Sequence, residues 1–401
     1  AAGGLSWQSV VTASTVTVEA SKGYFINTTS NACTITLPSA ADAGDQIILV
    51  DYARTWGTNA ITIDSNGLKF QSETDDYIVD YDTSGQAINL VYSGATVGWT
   101  PSSDIVNALE PVAPVTQKGI FNSGSAAVSN LVSSSGVVAS DVSGVGTSRT
   151  FLAASTYGGD KAIFGYGDNV TNISNLVNNS GVVGNDVTGV GTARTRLGAA
   201  SYGTDKALFG FGDNSGGSEV SITNLVSNSG VVASDTTGVG TARKEVGALG
   251  YGGDKAIFRA GRVGTTRQLM SNLVSSSGVV ASDTTGVGTA VIFAKGASYG
   301  GDKGIFAFGS ITDGEGTKVS TSNLVSNTGV VAANVTGVGT GREGAAACGY
   351  GGDKAIFGFG NAASNLGMTN LVNNSGVVAS DVSAVGTART GLAAAGFSFA
   401  T

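Results

Sequence analysis

The stretch Ala199-Ala200-Ser201-Tyr202-Gly203-Thr204-Asp205-Lys206-Ala207-Leu208-Phe209-Gly210-Phe211-Gly212 recurs with small changes down most of the chain. The Phe of its Leu-Phe or Ile-Phe pair falls at Phe121, Phe164, Phe209, Phe258, Phe306 and Phe357, in steps of 43, 45, 49, 48 and 51 residues. A repeat of this length marks a propeller or a solenoid, and every other residue has to be read inside that frame. Residues 196–242 write out one unit. Arg196 to Ser201 reads as strand 1, Tyr202 to Asp205 as a tight turn, Lys206 to Phe211 as strand 2 and Gly212 to Ser221 as a variable loop. Thr223 to Ser227 reads as strand 3, Asn228-Ser229-Gly230 as a turn and Val231 to Ser234 as strand 4; Asp235 to Thr241 leads into the next unit.

Four short strands per unit make one blade, and radial blades protect their own edges. Strand 1 is small throughout (Leu152-Ala153-Ala154, Gly198-Ala199-Ala200, Gly344 to Ala347), as an innermost strand must be where blades converge. Strand 2 carries the bulky pair that fills the widening space between blades. The repeats begin at Lys118 to Phe121, a strand 2 without its strand 1, and end at Gly391 to Phe397, a strand 1 without its strand 2. The last segment therefore supplies the strand missing from the first blade. The expected architecture is a six-bladed β-propeller over residues 118–401, closed by the C-terminal strand with no open edge.

Residues 1–106 read differently. Short period-two runs such as Tyr24 to Asn27, Thr34 to Leu37, Gln46 to Val50, Ala60 to Ile63 and Ala87 to Tyr92 alternate with turns. Seven or eight such strands predict a β-sandwich or small barrel. Trp7, Trp56 and Trp99 all lie here and read as core anchors, a sugar-stacking platform being the other reading. Glu73, Asp75, Asp76, Asp80 and Asp82 lack the frame of a calcium loop and read as a solvated acidic face. Residues 107–117, with Pro111 and Pro114, read as a linker, so the whole chain is expected to be all-β in two domains.

Composition narrows the chemistry. Of 401 residues 62 are Gly and 12% are charged, which suits a turn-rich folded chain. Residues 1–112 hold 12 acids and 3 bases, and the remainder is balanced at 17 and 18, so no basic field invites nucleic acid. No apolar run is long enough to cross a membrane, and none reads as a signal peptide; a start at Ala1 without Met reads as a processed or partial chain. Cys33 and Cys348 read as two free buried thiols rather than a bridge across domains. Histidine is absent, which removes Ser-His-Asp and Cys-His catalysis and His-ligated metals. No cofactor, metal site or catalytic residue is expected.

Two resemblances add to this. Gly23 to Thr28, Thr34 to Pro38, Ala43 to Ile47, Asn59 to Ile63 with Asn66-Gly67, Leu90 to Tyr92 and Gly98-Trp99 together resemble a module of bacteriophage tail fibres and related virion appendages. That resemblance implies a connector to other virion proteins, a homo-oligomer (often trimeric in that family) and a virion, extracellular location. Thr192-Ala193-Arg194, Gly198-Ala199-Ala200 and Asp205 to Gly212 resemble a kelch-type repeat, without the Trp usual after strand 3.

Repeated polar residues read as structural. The Asp-Lys pairs, Asp160-Lys161 to Asp353-Lys354, stabilise turns; Arg149, Arg194, Arg243, Arg342 and Arg389 bond loop carbonyls or the Asp opening the preceding loop, such as Asp141 or Asp186. One repeat has Val291 in place of this Arg. The strand 2–3 loops differ between blades, and a rigid scaffold with one variable loop face is how binding surfaces are built, loop drift being the alternative. The candidate ligand residues are Asp168, Asn169, Asp213, Asn214, Glu219, Arg262, Arg267, Asp313, Glu315 and Lys318. The expected function is non-enzymatic recognition of a host surface glycan or protein by a phage fibre. The alternatives are a glycan depolymerase using paired carboxylates and a purely structural decoration or filament subunit.

Overall fold

The computed structural model describes residues 5–73, 78–103, 118–312 and 316–397. The expected linker, together with Asp75, Asp76, Asp313 and Glu315, lies outside these residues. Among them every regular element is a β-strand, so the chain is all-β, and it divides into two compact units, residues 1–113 and 114–401.

In the first unit the strands are β1 (Ser6–Trp7), β2 (Thr15–Thr17), β3 (Lys22–Ile26), β4 (Cys33–Thr36), β5 (Gln46–Asp51), β6 (Ile61–Asp64), β7 (Ile78–Tyr81), β8 (Ala87–Tyr92) and β9 (Trp99–Pro101). They form two sheets, β1-β3-β5-β8-β9 and β2-β4-β6-β7. Successive strands from β1 to β6 alternate between the sheets, so the pairs β1/β3, β3/β5, β2/β4 and β4/β6 are parallel. Only the later strands return antiparallel. One core lies between the sheets, with Ile26, Ile35, Leu49, Ile63, Ile88 and Leu90 from alternating strand positions and Trp56 and Trp99 fully buried among them. Trp7 departs from the core-anchor expectation. It is 48% exposed and stacks on Phe25 with ring centroids 4.6 Å apart. At its edge position no described residue covers its outer face, and Gly23 beneath it leaves room for the indole.

In the second unit the first strands of the repeats are Ala153–Tyr157, Gly198–Tyr202, Gly247–Tyr251, Lys295–Tyr299, Ala346–Tyr350 and Ala393–Phe397. Each pairs antiparallel with a second strand, for example Gly198–Tyr202 with Lys206–Gly210, and each second strand with a third, such as Thr223–Val226. The C-terminal strand Ala393–Phe397 pairs with Lys118–Asn122, across almost the whole repeat region. The first strands also adjoin one another in sequence order, and the last adjoins Ala153–Tyr157.

The cores explain this arrangement. The two residues of the Ile-Phe pair are adjacent on a strand, so they face opposite sides of the sheet. Ile163 accordingly packs with Phe209 of the next sheet, Leu208 with Phe258, Ile257 with Phe306, Ile305 with Phe357, Ile356 with Phe121 and Ile120 with Phe164. Each of these cores is shared between neighbouring sheets, and the one holding Ile356 and Phe121 joins the last repeat to the first. Burying one such Phe stabilises by about 2–3 kcal/mol. Small first strands are the counterpart, because this is where neighbouring backbones approach most closely. The tyrosines ending them reach further: Tyr157 lies over Gly230 of the next sheet and Tyr350 over Gly136 of the first, where an added Cβ would lie 2.9 Å from the ring.

The expected fourth strand is corrected. Val183–Val187 is a full strand and Val142–Ser143 a short one, but Val231 to Ser234 and its later counterparts make only isolated bridges, such as Val226↔Val232 and Thr223↔Thr236. These two bridges differ by one residue in register, and the buried Asn224 lies between them, its amide donating to the Ala233 carbonyl. The side chain thereby takes an acceptor that an unbroken ladder would use.

Of the expected arginine partners the loop carbonyls are found, as where Arg243 donates to Thr241 and Ala260 and Arg389 to Thr387 and Ser123, but the aspartate is corrected. Arg149 donates to Asn175 at 2.7 Å, and Asn175 donates to Asp186 at 2.8 Å; the same chain runs Arg194–Asn224–Asp235, Arg243–Asn272–Asp283, Arg342–Asn370–Asp381 and Arg389–Asn130–Asp141. The Asp is thus the one beyond the third strand of the sheet that the Arg enters, not the one opening the loop before it. The fully buried guanidinium must be satisfied where it ends up, and Asn is the polar residue available there. Arg194, Arg243, Arg342 and Arg389 also lie over the rings of Tyr166, Phe211, Phe308 and Phe359, at 3.9–4.8 Å.

At one seam three positions change together. Val291 replaces the Arg and Ala260 replaces the ring, while Arg259 stands where Gly165, Gly210 and Gly358 stand elsewhere. Arg259 returns a guanidinium to the seam from the opposite sheet: it lies over Phe306 at 5.6 Å and donates to the Val287 carbonyl at 2.7 Å. Arg259→Gly is expected to cost about 2–4 kcal/mol in urea unfolding, through a cavity and a lost buried hydrogen bond. The triple change Arg259→Gly, Ala260→Phe and Val291→Arg restores the common arrangement and is expected to recover most of that loss. A triple variant no more stable than the single one would contradict this account.

The aspartates make the clamp acid-sensitive. A hydrogen bond from the Thr387 hydroxyl is foremost in holding the Asp141 carboxyl below its usual range. At Asp186, Asp235, Asp283 and Asp381 burial is the largest single influence and pushes upward, but the threonine, asparagine and backbone donors together outweigh it. A carboxyl lowered in the folded state stabilises above its unfolded value, about pH 4, and that contribution is lost as pH falls through the folded value. Asn334 fills the equivalent place in one repeat and holds Thr289 without titrating. Asp235→Asn and Asp283→Asn variants should therefore lose less melting temperature than the wild type between pH 5 and pH 2, as read by thermal unfolding.

Candidate functional site

The two ends of the first strands differ in chemistry. Where these strands finish, each turn has the same parts. Asp160, Asp205, Asp254, Asp302 and Asp353 pair with the lysine that follows at 2.6–3.2 Å. Gly158, Gly203, Gly252 and Gly300 donate backbone hydrogen bonds to Asp205, Asp254, Asp302 and Asp353 of the neighbouring turn. A cavity of about 210 Å³ opens among these turns, lined by Thr156, Ser201, Tyr202, Tyr251, Ser298 and Tyr299 among others. Burial pushes the three tyrosine hydroxyls up from their ordinary value, so they remain neutral donors.

The opposite end varies from sheet to sheet. The residue two places before each first strand has positive φ, and the six are Phe151, Arg196, Glu245, Phe293, Gly344 and Gly391. Their backbones join: Arg196 N–H donates to Phe151, Glu245 to Arg196, Phe293 to Glu245, Gly391 to Gly344 and Phe151 to Gly391. Phe151 and Phe293, three repeats apart, meet with ring centroids at 5.4 Å, and the Arg196 guanidinium lies 5.0 Å from the Phe151 ring.

An ionic network lies on one side of these positions. Asp213, 5% exposed, receives Arg196 and Lys244, both at 3.3 Å. Lys244 also reaches Glu219 at 3.2 Å, which takes the Gly264 backbone N–H at 3.1 Å. Glu245, buried, pairs with Arg262 at 2.7 Å and with Arg196 at 3.8 Å. Burial pushes the Glu245 carboxyl up, against the pull of Arg262, Arg196 and Lys244. Asp213 and Glu245 thus share one guanidinium.

Of the expected ligand residues, the structure brings Asp213, Glu219 and Arg262 into one cluster. Asn214 caps its own turn, accepting from Gly216 and Ser218. Asp168 is held by Thr150 and Thr195, Asn169 is exposed in a turn, and Arg267 lies in the short hairpin with Arg262. Lys318 is tied to Asn361, to the Ala362 carbonyl and to Glu343. None of the expected residues lines the cavities along the first strands. Sequence reading missed Arg196, Lys244, Glu245, Phe151 and Phe293. They sit one or two places after the repeated Arg, or after Val291, and vary among the repeats, so that variation was the available signal.

Among the described residues no group of three or more acids and cysteines is placed to hold a metal ion. Glu73, Asp80 and Asp82 are exposed. Cys33 and Cys348 are free and buried, and burial pushes their thiols up to about 11 and about 12.

Lys244→Met should leave Asp213 short of one of its two cations and cost about 1–3 kcal/mol in chemical unfolding. Adding Asp213→Asn should return part of that cost, and a strictly additive double variant would show that the network is not coupled.

No known protein-family model matches this chain, and no curated protein matches it.

Proposed function

We propose that residues 118–401 form a six-bladed kelch-like β-propeller closed by the C-terminal strand. We further propose that the protein is a non-enzymatic virion appendage, of the bacteriophage fibre kind, that recognises a host surface glycan or protein through its loop end. The unbroken circuit of shared cores, with Ile356 packed on Phe121 and Ile120 on Phe164, supports the closed propeller. The N-terminal unit would connect to other virion proteins within a homo-oligomer, a part of the reading that rests on resemblance.

The observation that carries recognition is the contrast between the two ends. One end repeats the same turn in sheet after sheet. At the other, the ring position holds two phenylalanines, an arginine, a glutamate and two glycines. A scaffold that holds its framework constant and varies one end has the form of a binding surface. Binding by several copies would raise avidity without tight single sites. A depolymerase needs two carboxyl groups about 5–9 Å apart, one free to give a proton and one to attack or activate water. Asp213 and Glu245 instead share Arg196 and are buried in ion pairs, which favours a structural role for both.

The test is binding of the full-length protein to bacterial cells and to immobilised capsule and lipopolysaccharide oligosaccharides. Saturable binding that is lost when segments 213–219 and 262–267 are exchanged for the loop of another repeat supports recognition by this end. Release of oligosaccharides from the same glycans would replace the reading with a hydrolase. Absence of binding to every surface would replace it with a structural subunit.

A further inference from the structure

The first strands carry one anomaly. Ala153, Gly198, Gly247, Lys295, Ala346 and Ala393 occupy the same register position, facing Gly165, Gly210, Arg259, Ala307, Gly358 and Asn122 on their second strands. Five of the six are Ala or Gly; the sixth is a lysine in the most confined layer of the unit.

Lys295 lines a cavity of about 40 Å³ together with Leu152, Leu197, Val246 and alanines of the neighbouring first strands. This cavity adjoins a second of about 60 Å³, sharing Ala154, Ala199, Ala248 and Gly296 with it. The second in turn shares Thr156, Ser201 and Ser298 with the 210 Å³ cavity among the turns. The three make one passage along the first strands, with Lys295 at its narrow end and the Phe151–Phe293 pair next along the chain.

The other half-buried lysines of this unit have acidic partners: Lys161, Lys206, Lys255 and Lys354 in the turns, Lys244 in the ionic network and Lys318 beside Glu343. Among the described residues no carboxylate lies within ion-pair distance of Lys295, and its ammonium makes no hydrogen bond to a side chain or carbonyl. Burial is the one influence on its ionisation, and pushes it down to about 8. Glu245 is answered by Arg262, Arg196 and Lys244 and does not reach it. At neutral pH the side chain therefore still carries most of a charge, inside walls of Ala, Leu and Val. A charge in such a place either loses its proton or takes a counter-ion.

We propose that the narrow end of this passage is an anion site, in which the Lys295 ammonium holds one small monovalent anion of halide size, entering from the turn end. The small volume selects against sulfate or phosphate. Ser201, Ser298 and Thr156 line the route; Ser298 and Thr156 donate to the Gly250 and Gly396 carbonyls, which leaves the Ser201 hydroxyl as the donor for an anion on its way in.

The probes are chloride and bromide. Thermal unfolding of the full chain at pH 6.5 in sodium chloride, against sodium gluconate of equal ionic strength, is expected to give a melting temperature higher by about 2–4 °C in chloride. The difference should vanish in Lys295→Met, and in Lys295→Ala, which restores the residue of the equivalent positions. It should also vanish in the wild type at pH 9.5, where the amine is neutral. Crystals soaked in bromide should show anomalous density at Lys295 Nζ in the wild type and none in Lys295→Met. Equal melting temperatures in the two salts would overturn the proposal, as would a chloride effect that survives in Lys295→Met. Bromide density without any stabilisation would mark binding at crystal concentration only and would overturn it as well.

Discussion

A guanidinium taken out of water needs a hydrogen-bond acceptor, and the second unit supplies one from an asparagine five times. Arg149, Arg194, Arg243, Arg342 and Arg389 are all buried, each bonded to the asparagine of a third strand that also holds an aspartate. The connection entering each sheet is thereby fixed to that sheet's far edge, and the aromatic lid over four of these arginines comes from the sheet before. A buried ion pair adds little net stability, because desolvation consumes most of the attraction. Its effect here is registration: a sheet displaced by one residue would leave a buried charge without its acceptor. Arg259 shows that the demand belongs to the seam rather than to one sequence position, since the guanidinium can come from either side.

Much of this was legible in the sequence. The spacing of the Phe positions announced the repeat, the missing strand at each end announced the pairing of residues 118–122 with 393–397, and the small first strands announced close approach. Three features were not legible. The parallel pairing of the first unit depends on which strands share a sheet, and an alternating pattern looks the same in parallel and antiparallel partners. The near absence of a fourth strand depends on Asn224 and its equivalents spending their amides on a backbone carbonyl. The direction of the arginine clamp depends on which aspartate the fold brings near, and both were at plausible distances along the chain. For the candidate site, the loops drew attention because they differ in length. Arg196, Lys244 and Glu245 were overlooked because they differ only in identity, at positions of constant spacing.

The loop end and the turn end answer to different constraints. At the turn end Asp and Lys neutralise each other and neighbouring turns are bonded to one another, so change there would disturb two sheets at once. At the loop end five backbone hydrogen bonds link the six positions, so the side chains of residues 151, 196, 245 and 293 can differ without breaking these links. Charge at that end is concentrated on one side, where Asp213, Glu219, Lys244, Glu245 and Arg262 interlock. The side carrying Gly344 and Gly391 presents backbone instead.

The pairing of Lys118 with Phe397 has a mechanical meaning. Because the two strands are antiparallel, the chain enters and leaves the second unit at the same corner of one sheet. A pull between these two points would peel that strand pair apart one hydrogen bond after another, the weakest way to load a sheet. A pull between Lys118 and the loop end takes another route. It passes into the first sheet and is shared sideways through the packed Phe and Ile layers, so the load spreads over several cores. Tension between the entry point and the variable end is thus spread over several cores, whereas tension between the two paired ends meets one hydrogen bond at a time.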